Sequence, residues 1–316
     1  MFGTSTALCF SILDSLLIRG QMSQLCHMEA FREQSLMLFS VPVILIAILV
    51  EIILTHFQHI RAYTWRETLT NFYLAGLNGS LDLLLRSIVV LPVLLFCWHH
   101  RLFTLDKGWI YWLALFLIED LAYYVLHFVD HHCRLFWAIH VTHHSSPEFN
   151  LTTGFRSSVF QPVYRTAYFA PIAWLGFEPL DVLFMYAATQ IYGSFIHTEK
   201  VGKLGWLEYV VVTPSHHRVH HASNSRYLDK NMGMCLIIWD RLFGSFAEED
   251  PAEPPKYGLT KAIPDRGPMN IVFHEWRDML RDFRESPLPW RQKLGYFLRG
   301  PGWRPFHPEE TDQTSS

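Results

Sequence analysis

The sequence predicts an all-α integral membrane protein with four to five membrane spans and a helical cap that is rich in histidine. Two observations support this prediction. Half of the 316 residues are hydrophobic and only 17% are charged, against about 25% in typical soluble domains. Of the 18 histidines, 11 fall between His127 and His221, a density that the packing of apolar helices does not require.

Five apolar segments are the candidates for these spans. The first, LMLFSVPVILIAILVEIIL, is close to the ~20 residues with which a helix crosses a bilayer. The second contains polar residues, which indicate contact with other helices or with headgroups. The last two are separated by Glu178-Pro179, a turn signal that predicts a helical hairpin. The segments are residues 36–54, 74–98, 109–126, 159–177 and 180–196.

Both ends of the chain differ from this apolar region, and we divide the sequence accordingly. Residues 1–35 form an N-terminal extension whose segment ALCFSILDSLLI is too short for a span and lacks the features of a signal peptide. Residues 36–246 form the membrane domain. Residues 247–316 comprise a proline-rich linker, an amphipathic helix and a disordered tail. The amphipathic helix either packs on the domain or lies on anionic lipid.

Charge and cysteine content exclude several classes of protein. The formal net charge of −3 provides no basic patch, so nucleic acid is not an expected partner. The five cysteines are odd in number and scattered, and no two have CxxC spacing. This distribution argues against a disulfide framework and against a cysteine-ligated zinc site.

Three short segments place histidines on one face of a helix. HFVDH at 127–131 has two imidazoles four residues apart. HVTHH at 140–144 has three at positions i, i+3 and i+4, and HRVHH at 217–221 repeats that pattern. His197 follows the fifth predicted span directly. His132 would point about 100° away from the ligand face of a continuous helix, which leaves its role open.

A metal centre explains this density better than packing does. Buried neutral imidazoles need partners, and protonated ones would repel each other, whereas a metal ion removes both problems. Eight or nine ring nitrogens exceed what one ion binds, so we expect two metals. Carboxylates are sparse near these segments, and the spacing does not separate iron from zinc. A membrane setting with open coordination favours iron and oxygen chemistry over a closed structural zinc site.

Other polar residues near the histidines have two interpretations each. Asp120, Asp229 and Asp240 could orient the imidazoles, or they could be helix caps and surface ion pairs. Arg156 could meet a lipid headgroup or a structural carboxylate. If the 159–196 hairpin enters the membrane and returns, all histidine segments share one side, which we expect to be the cytoplasmic side. The short loops do not decide the orientation by their Lys and Arg content.

The histidine segments resemble the three histidine boxes of the fatty acid hydroxylase/sterol desaturase superfamily of membrane di-iron enzymes. TPSHHRVHHASNSRYLDKNMGMCLIIWDRLFGSF at 213–246 is similar to the third box and its downstream block. HVTHHSSPEFNLTTGFRSS at 140–158 is most similar to the alkylglycerol monooxygenase branch. Phe128 and His132 depart from the Arg and Glu that are common at these positions in relatives, which weakens the substrate assignment but not the metal site.

The resemblance implies two iron ions, O2 as co-substrate and a membrane lipid as substrate. The reaction would be hydroxylation of an unactivated C–H bond, as in the alkylglycerol monooxygenase branch, or the desaturation or hydroxylation of a sterol or fatty acyl chain. Tetrahydrobiopterin or a small redox protein would donate electrons. A bacterial inner membrane is favoured over the endoplasmic reticulum. Outside this family, a non-catalytic membrane metal-binding protein is the alternative. The implied ligands are His127, His131, His140, His143, His144, His217, His220 and His221, with His197 and His216 as further members.

Overall fold

The computed structural model describes residues 21–60 and 62–304, without the side chains of residues 21–34 and 37. Within these ranges the regular elements are helices, joined by turns and two isolated β-bridges. The fold is therefore all-helical in the part of the chain that the structure describes, as predicted. The segment ALCFSILDSLLI and the end of the predicted tail lie outside the described residues.

Three described helical segments are long and apolar enough to cross a membrane. The first, Leu38–Phe57, belongs to helix α1 (Gln21–Phe57). The second, Trp65–His99, joins α2 (Trp65–Leu85) to α3 (Leu91–His99) through one π-helical turn, and only 11% of its most apolar window is buried. The third is α4 (Trp109–His132). Such exposed apolar surfaces are suited to contact with lipid.

The two remaining predicted spans form shorter helices. Residues 159–177 contain α6 (Gln161–Tyr164) and α7 (Thr166–Leu175, 10 residues), and residues 180–196 fall in α8 (Pro179–Phe195, 17 residues). At 1.5 Å per residue, α8 is roughly 25 Å long, which is shorter than a bilayer core of about 30 Å. The total of four to five spans therefore stays a prediction beside the three long helices.

Contacts between loops show which helix ends lie together. The loop after α1 lies beside the residues that follow HVTHH, because the Ala62 carbonyl accepts a hydrogen bond from Asn150 Nδ2 at 2.6 Å. At the other end of α4, the Leu102 amide donates to the Trp174 carbonyl at 2.8 Å. The turn between α7 and α8 therefore lies beside the loop between α3 and α4. The α7–α8 pair runs from the histidine end of α4 to its far end and back.

The apolar core lies between α3, α4, α7 and α8. Leu94, Leu115 and Ile172 are at most 1% exposed and pack in one cluster with Val182. Each such buried side chain contributes about 1.5–3 kcal/mol relative to an exposed one. This core fixes the positions of the ends of α4 and α8 at which the histidines lie.

The histidine cap is built from short helices beyond the ends of these spans. Helix α5 (Arg134–His144) follows α4 after a break at Cys133. Helix α9 (Pro214–His220) begins at a capping box in which Thr213 accepts from the amide of His216. Helix α10 (Ile238–Phe243) completes the block downstream of the third histidine segment.

The C-terminal part packs against the cap. Helix α11 (Pro268–Glu285) is the predicted amphipathic helix, and short helices α12 (Trp290–Lys293) and α13 (Gly295–Leu298) follow it. Arg134 of α5 binds Glu275 and Asp282 of α11, each at 2.7 Å. Of the two interpretations of the amphipathic helix, the structure supports packing on the domain. The boundary at 246/247 stays a prediction.

Candidate metal centre

The cap brings nine histidines into two groups whose ring nitrogens converge. Within each group, one nitrogen of every histidine lies within 4.8 Å of the others. The first group is His127, His131, His140, His144 and His220. The second group is His143, His197, His217 and His221. All nine are among the sequence-predicted site residues.

Helical geometry divides the second and third histidine segments between the groups, whereas both histidines of HFVDH belong to the first group. On α5, His140 and His144 are one turn apart and face the first group, whereas His143 points to the second. At the end of α9 the division is reversed, because His220 joins the first group and His217 and His221 join the second. Two short helices thereby connect both groups, and the sequence spacing alone did not reveal this division.

Backbone carbonyls fix the orientation of several rings. The Nδ1 atoms of His127, His143 and His197 lie 2.8, 2.9 and 2.7 Å from the carbonyls of Met232, Arg156 and Gly193. A carbonyl can only accept, so in each neutral ring Nδ1 carries the hydrogen and Nε2 carries a lone pair. This is the arrangement that metal-ligating histidines adopt.

The converging nitrogens fit a bound cation and do not fit hydrogen bonding among themselves. His143 Nε2 and His197 Nε2 lie 3.4 Å apart, although both carry lone pairs. His131 Nε2 and His220 Nε2 are buried and have no hydrogen-bond partner among the described residues. A metal ion in each group would satisfy these atoms, because imidazole nitrogen is a ligand of zinc, copper, iron and nickel.

Burial keeps the three histidines of HVTHH and His197 neutral near pH 7. Burial lowers the pKa of His140, His144 and His197 well below the ordinary value, and the neighbouring imidazoles lower it further. For His143 burial lowers the pKa to about 4. At neutral pH, therefore, no proton lies between the facing nitrogens to offset the repulsion of their lone pairs. Neutral imidazole is the form that binds metals.

The three aspartates expected near the histidines have different positions. Asp229 contacts a site histidine directly, with Oδ1 3.2 Å from His131 Nδ1. Asp240 accepts from the amides of Met232 and Gly233 at 2.7 and 2.8 Å. Asp240 therefore holds the loop whose Met232 carbonyl orients His127.

Asp120 anchors the same block from the interior of α4. Its carboxylate accepts from the amides of Cys235 and Leu236 at 2.9 and 3.1 Å. Trp239 Nε1 donates to it at 2.9 Å. Asp120 thus connects the third candidate span to the residues that follow the third histidine segment, and it contacts no site histidine directly.

Arg156 meets a structural carboxylate rather than a lipid headgroup. Its side chain is fully buried, and Nη1 donates to Glu67 Oε2 at 3.2 Å and to Asn71 Oδ1 at 2.9 Å. Its Nε donates to the Thr142 carbonyl at 3.0 Å. Because the Arg156 carbonyl also faces His143 Nδ1, this one residue connects α2 to the second histidine group.

Two histidines of the segments lie outside both groups. His216 is the third helical residue of the α9 capping box, and its Nε2 lies 3.1 Å from Glu208 Oε2. This position turns the ring away from the converging nitrogens, in contrast to the sequence-based assignment of His216 as a ligand. His132 is exposed and stacks on Phe128 with ring centroids 3.9 Å apart.

One further residue near the site was not predicted. Asp130 is fully buried and its Oδ2 lies 3.6 Å from His140 Nδ1. It accepts a hydrogen bond from the Tyr164 hydroxyl at 2.6 Å. Asp130 occupies the i+3 position of HFVDH, on the same face of α4 as His127, but only the tertiary structure brings α5 and α6 to it.

Comparisons with known proteins agree with this geometry. The fatty acid hydroxylase family model matches residues 112–245, a range that contains all nine grouped histidines. Alkylglycerol monooxygenase from Homo sapiens is 37% identical over 245 residues, covering 77% of this chain and 54% of the relative. Alkylglycerol monooxygenase from Danio rerio is 36% identical over 282 residues, covering 84% and 59%.

A Delta(7)-sterol 5(6)-desaturase from Gibberella zeae is 26% identical over 184 residues, covering 54% of this chain and 53% of the relative. No solved structure matches the chain significantly. The chain spans little more than half the length of these curated relatives. Its three long apolar helices and its membrane-enzyme relatives indicate an integral membrane protein. The family match and the histidine segments therefore coincide, and residues 112–245 of the chain are similar to the fatty acid hydroxylase family.

Proposed function

We propose that this protein is a membrane-bound, O2-dependent di-iron lipid oxygenase that resembles alkylglycerol monooxygenase. The observation that supports this most strongly is the pair of histidine groups, whose nitrogens converge within 4.8 Å in each group. A group of five imidazoles and a group of four are enough to bind two metal ions, and two relatives that are 37% and 36% identical to this chain are named alkylglycerol monooxygenases.

The nine grouped histidines are the proposed ligands, and the irons that they hold would supply the O2 chemistry. His216 does not belong to this proposed ligand set, because its ring is engaged by Glu208. The protein's own contribution is to fix the ligand geometry. Hydrogen bonds from Nδ1 to the carbonyls of Met232, Arg156 and Gly193 prevent three of the imidazoles from rotating.

The cap also excludes water from the reacting atoms. Eight of the nine grouped histidines are buried, and His143 is half-buried. We infer that substrate and O2 approach the site from the His143 side. Exclusion of water strengthens the electrostatic interactions at the site and prevents side reactions.

A sterol or fatty-acyl desaturase or hydroxylase is the second candidate. The specific observation that favours it is the 26% identity to a sterol desaturase over 54% of the chain. Both candidates need the same metal site, so product chemistry separates them. Oxidation next to an ether oxygen releases an aldehyde, whereas desaturation or hydroxylation leaves the chain intact.

We further propose that the histidine cap faces the cytoplasm, where tetrahydrobiopterin or a small redox protein can donate electrons. Its membrane would be the bacterial inner membrane or, alternatively, the endoplasmic reticulum. The clustering of the loop after α1 and the ends of α4 and α8 on one side supports a single-sided cap. The orientation can be tested in intact membrane vesicles. A single cysteine is introduced at His132 or at His100, and its labelling is measured.

The decisive experiment measures the metal content of the purified protein and its O2 consumption with a reductant and lipid. We expect about two irons per chain and O2 uptake that depends on both additions. Two zinc ions without O2 uptake would indicate the non-catalytic metal-binding alternative. Full activity in metal-free protein would exclude the whole proposal.

A further inference from the structure

The last described segment, residues 286–304, exposes a row of large apolar side chains. It follows α11, which packs on the cap, and it contains α12 and α13. Trp290, Leu294 and Leu298 are 65%, 40% and 63% exposed. Successive members of the row are four residues apart, so each lies about one helical turn after the one before. Exposed apolar side chains that lie together indicate an interaction surface.

This row belongs to a packed part of the structure. The ring of Phe297 lies 5.2 Å from that of Phe283 in α11, and the ring of Tyr296 lies 5.3 Å from that of Trp303. Trp303 also lies against Gly295, where a Cβ atom would come within 2.7 Å of the indole. All four rings are half-buried. They hold α13 on the protein, so the exposed row has a fixed position.

Backbone contacts place the segment at the end of a candidate membrane span. The Arg134 amide donates to the Arg299 carbonyl at 2.8 Å, and the Cys133 thiol donates to the Phe297 carbonyl at 3.3 Å. Cys133 directly follows His132, the last residue of α4. Helix α4 is long and apolar enough to cross a membrane, and a spanning helix ends near the membrane surface. The segment therefore lies at the level of that surface.

The charge of the segment differs from that of the whole chain. Residues 286–304 contain Arg291, Lys293, Arg299 and Arg304 and no Asp or Glu, whereas the formal net charge of the chain is −3. The three arginines are exposed. A cluster of at least four cations beside a membrane span is typical of binding to anionic lipid headgroups. Tryptophan is likewise enriched at the boundary between membrane and water.

We propose that residues 286–304 lie on the membrane surface and bind anionic lipid. Trp290, Leu294 and Leu298 enter the headgroup region, and the four cations of the segment contact lipid phosphates. A second copy of the chain is the competing occupant of the apolar row, but two such basic segments would repel each other. The surface is independent of the proposed function, because it uses neither metal nor substrate. Through its bonds to the end of α4, it holds the cap at a fixed height above the bilayer.

Photo-crosslinking in the full-length protein tests what covers the row. The photoreactive residue p-benzoylphenylalanine replaces Trp290, Leu294 or Leu298, one at a time. Each protein is placed in bilayer discs of equal parts phosphatidylglycerol and phosphatidylcholine, and the mass of the intact protein is measured after irradiation. We expect lipid adducts in which phosphatidylglycerol exceeds phosphatidylcholine at least about fivefold, since one cation near an anionic surface contributes about that factor.

Two further positions calibrate the crosslinking. Leu45 is 53% exposed on the first apolar helix and should give lipid adducts. Ala252 is exposed in the polar linker and should give none. Lipid adducts at Leu45 but not in the row would overturn the proposal, and so would adducts with a second copy of the chain. Equal amounts of the two lipids in the adducts would contradict the recognition of anionic lipid.

Charge variants assign the lipid preference to this segment. With the photoreactive residue at Leu294, R291Q/R299Q should lower the preference for phosphatidylglycerol to near one. K203Q/K261Q is the matched control, because it removes the same charge from lysines that are 42% and 83% exposed elsewhere on the protein. Its lipid preference should equal that of the wild-type background. An equal fall in both double variants would assign the preference to the overall charge of the protein and contradict a local lipid site.

Discussion

His143 Nε2 and His197 Nε2 face each other across 3.4 Å, and each ring directs its other nitrogen to a backbone carbonyl. Two lone pairs in this position repel each other unless a cation lies between them. The contact joins α5 to the loop that follows α8, and the two histidines are 54 positions apart in the chain. We therefore expect the stability of this part of the cap to depend on bound metal.

Metal removal should destabilise the folded protein. At a free metal concentration about 1,000 times the Kd, binding stabilises the fold by ~4 kcal/mol. Chelation should therefore lower the Tm by roughly 10 °C, and addition of Fe(II) should restore it. Thermal unfolding in detergent measures the effect. A Tm that does not respond to chelation would mean that the converging nitrogens are not a metal site.

Replacement of one second-group histidine should remove about one metal per chain. H197A deletes a ring whose nitrogen lies 2.9 Å from His217 Nε2. H216A and H132A are the matched controls, because both rings lie outside the two groups. Elemental analysis should give about half of the wild-type iron in H197A and full iron in both controls. Iron loss in H216A equal to that in H197A would restore His216 as a ligand.

Asp229 should increase the metal affinity of the first group, because it bonds His131. Mutation of a carboxylate that bonds a metal-ligating imidazole costs about 10–100-fold in metal affinity. We expect D229A to show this loss, and D229N to show a smaller one because the amide oxygen still accepts from His131 Nδ1. Competition with a calibrated chelator measures the affinity. D278N, which removes a carboxylate from the surface of α11, should behave like the wild-type protein.

Loss of Arg156 should destabilise the fold as well as the site. R156M removes the guanidinium that pairs with buried Glu67. Breaking a buried ion pair costs roughly 3–5 kcal/mol when the remaining charge is left unpaired, and we expect the lower end of this range because Arg266 still lies 2.7 Å from Glu67 Oε1. R156K should recover part of this, because lysine keeps the charge but not the planar arrangement of donors. Denaturant unfolding measures the change. Equal stability of R156K and wild type would show that the hydrogen bonds to Thr142 and Asn71 contribute little.

The sequence determined the residues of the site more completely than their arrangement. Helical periodicity identified the faces of HFVDH, HVTHH and HRVHH, since i, i+3 and i+4 spacing places side chains together on any α-helix. All nine grouped histidines were among the predicted site residues. His216 could not be separated from His217 in this way, because its direction depends on the Thr213 capping box and on Glu208, eight residues earlier.

Apolar segment length likewise predicted the three long helices, because a bilayer core sets a minimum length for any spanning helix. Tertiary structure alone decided how the histidines divide into two groups, since that depends on where α5, α9 and the end of α8 lie relative to one another. It also decided the partners of the carboxylates: Asp120 and Asp240 hold the chain, and Asp229 holds His131. The contacts of Asp229 and Asp120 join residues about 100 positions apart, and local periodicity contains no information on them.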